Sequence, residues 1–371
     1  MNRIPLVKPP LDDEVKRRVI QALDSGMIAE GPAVRELESL WSGYTGASHA
    51  LAVTNCTVGL ELGLRALGVG PGDEVVVPAF TYPASAAAVR IVGAQCVLAD
   101  IDPGTLVLDR RRMEAAITPR TKAVMPVSLF GCPVDPSLMD AARARGLKVI
   151  EDAACSIGAA WDGRRTGSLA DVTVFSMHPR KSVTTGEGGM VTTSDPELAR
   201  RVDAYRHFGM LPGPTGPRTV FATIGTNAKL SDLAAAAGIP QMRRFDAILE
   251  GRETLAREYD RLLEGVRGVT RAAVPPEATH ARQSYCVLLD GRDHVWERMR
   301  AQGIEVQIGS FALHLQPAFI EDPGTRFEGP LETSARAFAR SLVLPLHHDL
   351  TPDDQARVVH CLDSLVNGPG R

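Results

Sequence analysis

Seven short apolar runs alternate with helical patterns in the first half of the chain, and they limit the folds that the chain can adopt. The runs are continuous and rich in valine and isoleucine, which is typical of strands buried on both faces of a sheet. Helices between such strands indicate a mostly parallel sheet. The runs are residues 51–54, 74–78, 96–100, 123–127, 148–152, 172–176 and 189–193. We therefore expect a large α/β domain built on a mostly parallel seven-stranded sheet.

A stretch rich in glycine and proline, residues 210–222, follows the last of these runs. It has no helical or strand period, so it predicts a loop or excursion before the next regular element. The pattern then becomes strongly helical over residues 230–265, and we expect the first helix there to start near Ser231.

The C-terminal third of the chain has a different pattern. Residues 284–289 and 304–308 alternate like strands, and residues 352–366 form a last helical pattern. A chain of 371 residues with a 44% hydrophobic composition can bury more than one core. We therefore predict a large α/β domain over residues 1–245, including the N-terminal segment, and a smaller α+β domain over residues 246–371.

Charge and hydropathy argue against two classes of partner. The formal net charge of −3 provides no basic field of the kind that draws proteins to nucleic acid or anionic membranes. The first residues lack the apolar core of a signal peptide, and no segment reaches the ~20 apolar residues of a membrane helix. We expect a cytoplasmic protein that binds neither nucleic acid nor membranes.

Six cysteines are scattered singly, without CxxC pairs or histidines at metal-ligand spacing. This pattern argues against a zinc site and against a disulfide framework. Buried free thiols are the simplest interpretation. We therefore expect no bound metal.

A single lysine, Lys181, lies in the segment FSMHPRKSVTTGEGG between two of the predicted strands. A lysine in a short loop between buried strands projects into a crevice at the edge of the sheet. An amine nucleophile needs a pKa below its usual value, from burial or cationic neighbours, and a carbonyl cofactor with which to react. Arg180 supplies an adjacent cation and is a candidate for contact with substrate. The alternative is a solvated Arg-Lys loop followed by a glycine turn.

Asp152 ends the predicted strand 148–152 in the segment KVIEDAACSIGA. A carboxylate at that end points into the crevice at the carboxyl edge of a parallel sheet. A buried aspartate anion there can keep the pyridine nitrogen of a cofactor protonated, as electron-sink chemistry requires. The alternative is that Asp152 caps a following helix.

Two further segments place suitable groups at the same edge of the sheet. In LAVTNCTVGLELG a strand passes through a tight turn into a helix, so the amides of Cys56 and Thr57 and the Thr57 hydroxyl open a helix N-terminus that can bind phosphate. In PAFTYPASA an aromatic side chain, Tyr82, follows the next strand and can lie flat over a cofactor ring. The alternatives are a turn that only caps its own helix and a tyrosine of the core.

At this point the motifs resemble those of a known family, the DegT/DnrJ/StrS sugar aminotransferases, which are fold-type I enzymes dependent on pyridoxal 5′-phosphate (PLP). The resemblance covers nearly the whole chain and rests on the order and spacing of several segments. They include SGMIAEGPAVRELE, TNCTVGLELGLRALGVGPGDEV, PAFTYPASA, IEDAACSIGA, FSMHPRKSVTTGEGG, GTNAKLSDLAAAAGIPQM, ALHLQPAF and LVLPLHHDLT.

The resemblance implies a role for each matching residue. Lys181 corresponds to the lysine that forms a Schiff base with PLP, Asp152 to the partner of the pyridine nitrogen and Tyr82 to the stacking aromatic. The Cys56 amide, Thr57 and Ser176 correspond to phosphate ligands. Asn227 corresponds to a residue that reaches the phosphate in the neighbouring subunit, which implies a homodimer with shared active sites, and His314 to a residue on the substrate side.

One position departs from the family pattern. The residue after EDAA is commonly Gln or His, placed to bond the ring hydroxyl of the cofactor, and here it is Cys155. A thiol is a much weaker hydrogen-bond donor. The cofactor electronics and the choice of amino donor are therefore less directly implied than the presence of PLP.

The resemblance implies an aminotransferase that moves an amino group from glutamate or glutamine to a small-molecule ketone. The ketone is expected to be a keto-sugar linked to a nucleotide, or a related cyclic ketone. Alternatives are a PLP-dependent sugar dehydratase of the same family and a non-catalytic member with a regulatory role. Family dehydratases carry histidine in place of the lysine, and a silent member is expected to have lost Lys181 or Asp152; this chain retains both.

Overall fold

The computed structural model describes residues 3–212 and 219–368. Within them lie thirteen α-helices, which we number in chain order. They are α1 (Asp13–Asp24), α2 (Pro32–Thr45), α3 (Cys56–Ala66), α4 (Pro83–Ile91), α5 (Arg110–Ala116), α6 (Pro136–Ala144), α7 (Pro196–Arg206), α8 (Asp232–Arg243), α9 (Phe245–Leu262), α10 (Arg292–Ala301), α11 (Pro317–Ile320), α12 (Glu332–Arg340) and α13 (Pro352–Asn367).

The same residues contain nineteen strands, several of them only two residues long. They are β1 (His49–Val53), β2 (Glu74–Pro78), β3 (Phe80–Thr81), β4 (Gln95–Ala99), β5 (Thr121–Val124), β6 (Lys148–Asp152), β7 (Ala160–Trp161), β8 (Arg164–Arg165), β9 (Val172–Ser176), β10 (Gly189–Thr193), β11 (Met210–Pro212), β12 (Thr219–Phe221), β13 (Val269–Arg271), β14 (Ala278–Thr279), β15 (Tyr285–Leu289), β16 (Gln307–Ile308), β17 (Phe311–Ala312), β18 (Thr325–Phe327) and β19 (Ser341–Leu344).

The central sheet contains all seven predicted strands and has the order β1-β10-β9-β6-β5-β2-β4-β18. Every neighbouring pair is parallel except the two that include β10, which runs antiparallel to β9 and β1. The prediction of seven strands is therefore one short, because β18 adds an eighth at the edge beside β4. Its sequence, TRF, is too short and too polar to form an apolar run.

Helix α3 packs closely on this sheet because glycines form its inner face. A Cβ atom on Gly59 would lie 2.6 Å from the side chain of Val174, and one on Gly63 would lie 2.7 Å from that of Ile150. Any larger side chain at these two positions would push the helix away from strands β9 and β6. The glycines of the segment TVGLELGL therefore fix where the N-terminus of α3 meets the edge of the sheet.

The C-terminal part of the chain has a sheet of its own, with the antiparallel order β13-β15-β19-β16. Helices α9, α10 and α13 contribute to its core, which includes the fully buried Tyr259, Val287 and Leu342. The predicted helix start is confirmed, since α8 begins at Asp232. The Ser231 hydroxyl caps this helix by accepting a hydrogen bond from the Ala234 amide. The division into domains at residue 245 stays a prediction.

The predicted loop at residues 210–222 is partly wrong. Strands β11 and β12 pair antiparallel within it, with Met210 opposite Phe221. The remainder of that stretch, residues 213–218, lies outside the described residues. Across the described parts of the chain, no helix combines the length and apolar character needed to cross a membrane.

Candidate active site

A cavity of about 680 Å³ opens at the carboxyl ends of the parallel strands. This is the edge at which ligands bind in open α/β sheets, and the volume is within the range of small-molecule sites. The cavity brings together eight of the ten residues that the sequence marked. They are Cys56, Thr57, Tyr82, Asp152, Cys155, Ser176, Arg180 and Lys181.

Lys181 extends from the loop between β9 and β10, and its Nζ atom donates a hydrogen bond to the Sγ atom of Cys155 over 3.1 Å. Burial lowers the pKa of the Lys181 ammonium, but the acidic neighbours Cys155, Cys56 and Asp152 outweigh burial, and the net shift is upward. The expectation of a lowered pKa is therefore wrong for the free chain. The Arg180 guanidinium donates to Gln307 Oε1 over 2.7 Å and is not among the main influences on the pKa of Lys181.

Asp152 lies at the end of β6 and is only 4% exposed. Its Oδ2 atom accepts a hydrogen bond from the Ser85 hydroxyl over 2.6 Å, and its Oδ1 atom accepts one from the Ala154 amide over 3.1 Å. Burial raises the pKa of this carboxyl, while Ser85, Ala154 and Lys181 act in the opposite direction. The helix-cap alternative is wrong, since the next α-helix begins only at Pro196.

The N-terminus of α3 forms another part of the wall. The Asn55 side chain caps the helix by accepting from the Val58 amide over 2.9 Å. Capping occupies one of the first amides of a helix and leaves others free for a ligand, so the capping alternative and the phosphate-site interpretation are compatible. The Thr57 hydroxyl and the Ser176 hydroxyl, from the end of β9, line the same cavity.

The approach of β10 to this helix end requires glycine. A Cβ atom on Gly189 would lie 2.7 Å from the carbonyl carbon of Asn55 and 2.8 Å from the amide nitrogen of Cys56. Contacts that short with backbone atoms cannot be relieved by moving a side chain. The last glycine of the segment TTGEGG therefore keeps the α3 N-terminus against the sheet.

Tyr82 lies at the rim with 64% of its surface exposed. Its ring is 6.2 Å from that of Phe311 in an edge-to-face arrangement. The alternative of a core tyrosine is wrong, because most of the Tyr82 surface is exposed. Such an exposed aromatic ring is suited to stacking.

Asn227 and His314 lie outside the cavity wall that the described residues form. Asn227 is exposed, forms a β-bridge with His207, and its Oδ1 atom accepts from Lys229 Nζ over 2.6 Å. The His314 ring lies 6.3 Å from that of Phe327, and its Nδ1 atom is buried without a hydrogen-bond partner. The roles that the resemblance implied for both residues stay predictions.

Sequence reasoning missed several residues of the site. Ser85 follows Tyr82 by three positions in a segment already singled out, so its hydroxyl was a usable signal. Gln283 and Gln307, from the C-terminal third, and Leu6, from the N-terminal segment, also line the cavity. They are more than a hundred residues from Lys181 in sequence, and only the tertiary structure brings them to it.

The chain is similar to proteins of one family over nearly its whole length. The sequence profile of the DegT/DnrJ/EryC1/StrS aminotransferase family matches residues 9–363. The GDP-perosamine synthase of Caulobacter vibrioides is 38% identical, over 98% of each chain. The UDP-2-acetamido-2-deoxy-3-oxo-D-glucuronate aminotransferase of Pseudomonas aeruginosa is 34% identical over 91% of this chain and 92% of its own.

Solved structures show the same fold. The PLP form of a putative sugar aminotransferase, Spr1654 from Streptococcus pneumoniae, superposes with a TM-score of 0.92. That alignment covers 98% of this chain and 99% of the other, at 27% identity. The similarity therefore extends to the whole architecture around the cavity.

Proposed function

Because the chain belongs to the DegT/DnrJ/EryC1/StrS aminotransferase family and is thus a PLP-dependent aminotransferase, we propose that it transfers an amino group from glutamate or glutamine to a nucleotide-linked keto-sugar. One observation carries the proposal: a single cavity contains the Lys181 amine, the buried Asp152 carboxylate and the open N-terminus of α3. The names of the two relatives support the acceptor class, since one specifies a GDP-linked sugar and the other a UDP-linked oxo sugar.

The residues present fit PLP. We assign the phosphate to the amides of Cys56 and Thr57 and the hydroxyls of Thr57 and Ser176, because helix N-termini and hydroxyls bind phosphate without a cation. Asp152 would hold the proton on the pyridine nitrogen, and Tyr82 would cover one face of the ring. Bound PLP supplies an electron sink for the carbanion at the amino-bearing carbon.

Lys181 has two roles in this proposal. Its Nζ atom holds the cofactor before a donor arrives and, once released, takes the proton from the α carbon of the donor. The hydrogen bond from Nζ to the Sγ atom of Cys155 holds the lysine at the wall of the cavity. The Ser85 hydroxyl and the Ala154 amide donate to the two oxygens of Asp152 and favour its ionised form.

A spectrophotometric experiment tests the donor and acceptor classes separately. Glutamate or glutamine alone should remove the yellow colour of the purified enzyme, and a keto-sugar nucleotide should then restore it. Free cyclic ketones are the matched controls. Loss of colour with alanine but with neither expected donor would exclude the donor class. Return of colour with free ketones only would exclude the nucleotide-linked acceptor.

We further propose that the enzyme is a homodimer in which Asn227 completes the partner's phosphate site. Asn227 is exposed and lies apart from the cavity of its own chain. Large apolar side chains near it are also exposed: Phe208 by 48%, Phe221 by 71% and Ile224 by 93%. A self-complementary interface across a two-fold axis would cover these groups.

Mixing two inactive variants tests the shared site. Lys181→Ala and an Asn227 variant that has lost cofactor binding are co-expressed. In a mixed dimer one site collects both lesions and the other collects neither, so roughly a quarter of wild-type activity should return. Absence of recovery, once mixed dimers are demonstrated, would place Asn227 in its own subunit's site or outside any site.

A further inference from the structure

We propose that Gln283 is the positioning residue for Lys181, holding the chain on both sides of the lysine through one side-chain amide. The inference rests on the proposed role of Lys181. The Gln283 Oε1 atom accepts from the Ser182 amide and from the Ser182 hydroxyl, each over 2.9 Å. Its Nε2 atom donates to the Arg180 carbonyl over 2.6 Å.

These three bonds bracket Lys181. The residue before the lysine is held by its carbonyl, and the residue after it by its amide, so rotation of the Lys181 backbone would break at least one bond. Only the amide nitrogen can donate to a carbonyl and only the amide oxygen can accept from an amide, which fixes the orientation of the side chain. The direction in which Nζ enters the cavity therefore depends on Gln283.

Gln283 is itself held rigidly. Its side chain lies at the cavity wall and is 6% exposed. Its carbonyl accepts from Arg252 Nη2 over 2.6 Å, and the carbonyl of Arg282 accepts from Arg252 Nε over 2.7 Å. Arg252 is a buried residue of α9, and burial lowers its pKa to about 10. The next residue, Ser284, donates its amide to the Phe130 carbonyl over 3.1 Å.

The same loop provides a matched control. Gln241 of α8 is fully buried and holds Thr184, accepting from its amide over 3.0 Å and donating to its carbonyl over 2.7 Å. Its chemistry and burial match those of Gln283. However, Gln241 lies outside the cavity wall and holds a residue three positions beyond Lys181. A role limited to ordering the loop would make the two glutamines equivalent.

The test compares Gln283→Met, Gln283→Glu and Gln241→Met in the PLP-loaded enzyme. Gln283→Met removes all three bonds at nearly constant length, and Gln283→Glu retains the acceptor but loses the donor. Three properties are measured: amide hydrogen exchange at Ser182, the pH midpoint of the visible absorbance band, and kcat and KM for glutamate.

We expect Gln283→Met to accelerate exchange at Ser182 by about tenfold or more, since its amide loses its partner. In the same variant, the pH midpoint of the visible absorbance band should move by about half a pH unit or more. The value of kcat should fall by about tenfold or more while KM for glutamate changes less than about twofold, as for an interaction that acts on the reacting groups. Gln283→Glu keeps the acceptor for Ser182, so its exchange rate at Ser182 should lie between those of wild type and Gln283→Met. Gln241→Met should leave both the midpoint and kcat nearly unchanged.

The proposal is overturned if Gln283→Met and Gln241→Met have the same midpoint and kcat. Should Gln283→Met fail to fold, Gln283→Glu decides, because it preserves packing; wild-type behaviour in that variant would equally overturn the proposal. A wrong role for Lys181 would give a different result. The cofactor would then be found on another lysine of the wild-type enzyme, while hydrogen exchange at Ser182 would still depend on Gln283.

Discussion

The Nζ atom of Lys181 lies 3.1 Å from the Sγ atom of Cys155, and both side chains line the same cavity. The family resemblance implies Gln or His at the position where this chain has Cys155. The contact gives the lysine an acidic neighbour instead of an amide or an imidazole. Cys155 therefore influences when Lys181 loses its proton.

We predict that Cys155→Ala lets Lys181 lose its proton at lower pH. Burial lowers the pKa of Lys181 and Cys155 raises it, so removal of the thiol leaves the lowering effect of burial less opposed. Only the neutral amine reacts with a carbonyl. The rate at which cofactor-free protein takes up PLP should therefore reach its plateau at lower pH. Cys361→Ala, which changes a thiol in α13, is the control. An unchanged or upward-shifted profile for Cys155→Ala would contradict the assignment.

Asp152→Asn should reduce turnover by orders of magnitude without abolishing PLP binding. The replacement keeps the size of the side chain but removes the charge that we propose holds the pyridine nitrogen protonated. A loss of about a hundredfold or more in kcat is expected, equivalent to about 3 kcal/mol of barrier. Steady-state kinetics, together with the absorbance of bound PLP, provide the measurement. Near-normal turnover would mean that a different carboxylate pairs with the ring.

Ser85→Ala should move the acidic limb of the pH–rate profile to higher pH. The Ser85 hydroxyl lowers the pKa of Asp152, so its loss raises that pKa further, and the anion that catalysis needs disappears at a higher pH as the solution is acidified. Ser128→Ala is a matched control, since Ser128 donates to Glu151, the preceding residue of β6. An acidic limb that moves equally in both variants would show that the effect is not specific to Asp152.

Local patterns predicted the parts of this fold that depend on a few consecutive residues. The seven apolar runs became strands because each could be buried on both faces, and Lys181 and Asp152 lie where loops and strand ends were expected. The eighth strand, β18, was not predictable, because a three-residue polar segment pairs only where β4 offers a free edge.

Contacts across the chain set the remaining features of the site. Gln283 carries no local signal, and its importance arises from three hydrogen bonds to residues about a hundred positions away. The upward shift in the pKa of Lys181 has the same origin. It depends on Cys56 and on the neighbouring pair Asp152 and Cys155, two segments that meet Lys181 only in the folded chain.

Arg206→Met should destabilise the fold without touching the cavity. Arg206 is 5% exposed at the end of α7 and donates to Glu38 and to the Ala52 carbonyl, each over 2.7 Å. Removing the guanidinium takes one donor from the half-buried Glu38 carboxylate, which keeps its hydrogen bond from the Ala52 amide, and should lower the free energy of unfolding by about 1–3 kcal/mol. Denaturant unfolding provides the measurement.

Arg200→Met on the same helix is the control for this prediction. Arg200 forms an exposed ion pair with Glu197, and exposed pairs contribute little to stability. The two variants should therefore differ clearly in their denaturation midpoints. Equal midpoints would show that the buried network around Arg206 adds nothing.

The identity of the lysine that binds PLP is the central claim, and chemical trapping tests it most directly. Borohydride reduces the bond between PLP and its lysine and fixes the cofactor to the chain. Reduction of the yellow enzyme followed by peptide mapping should place the label on Lys181, the lysine that lines the cavity with Asp152. A label on Lys122, Lys148 or Lys229, or on no lysine at all, would contradict the account.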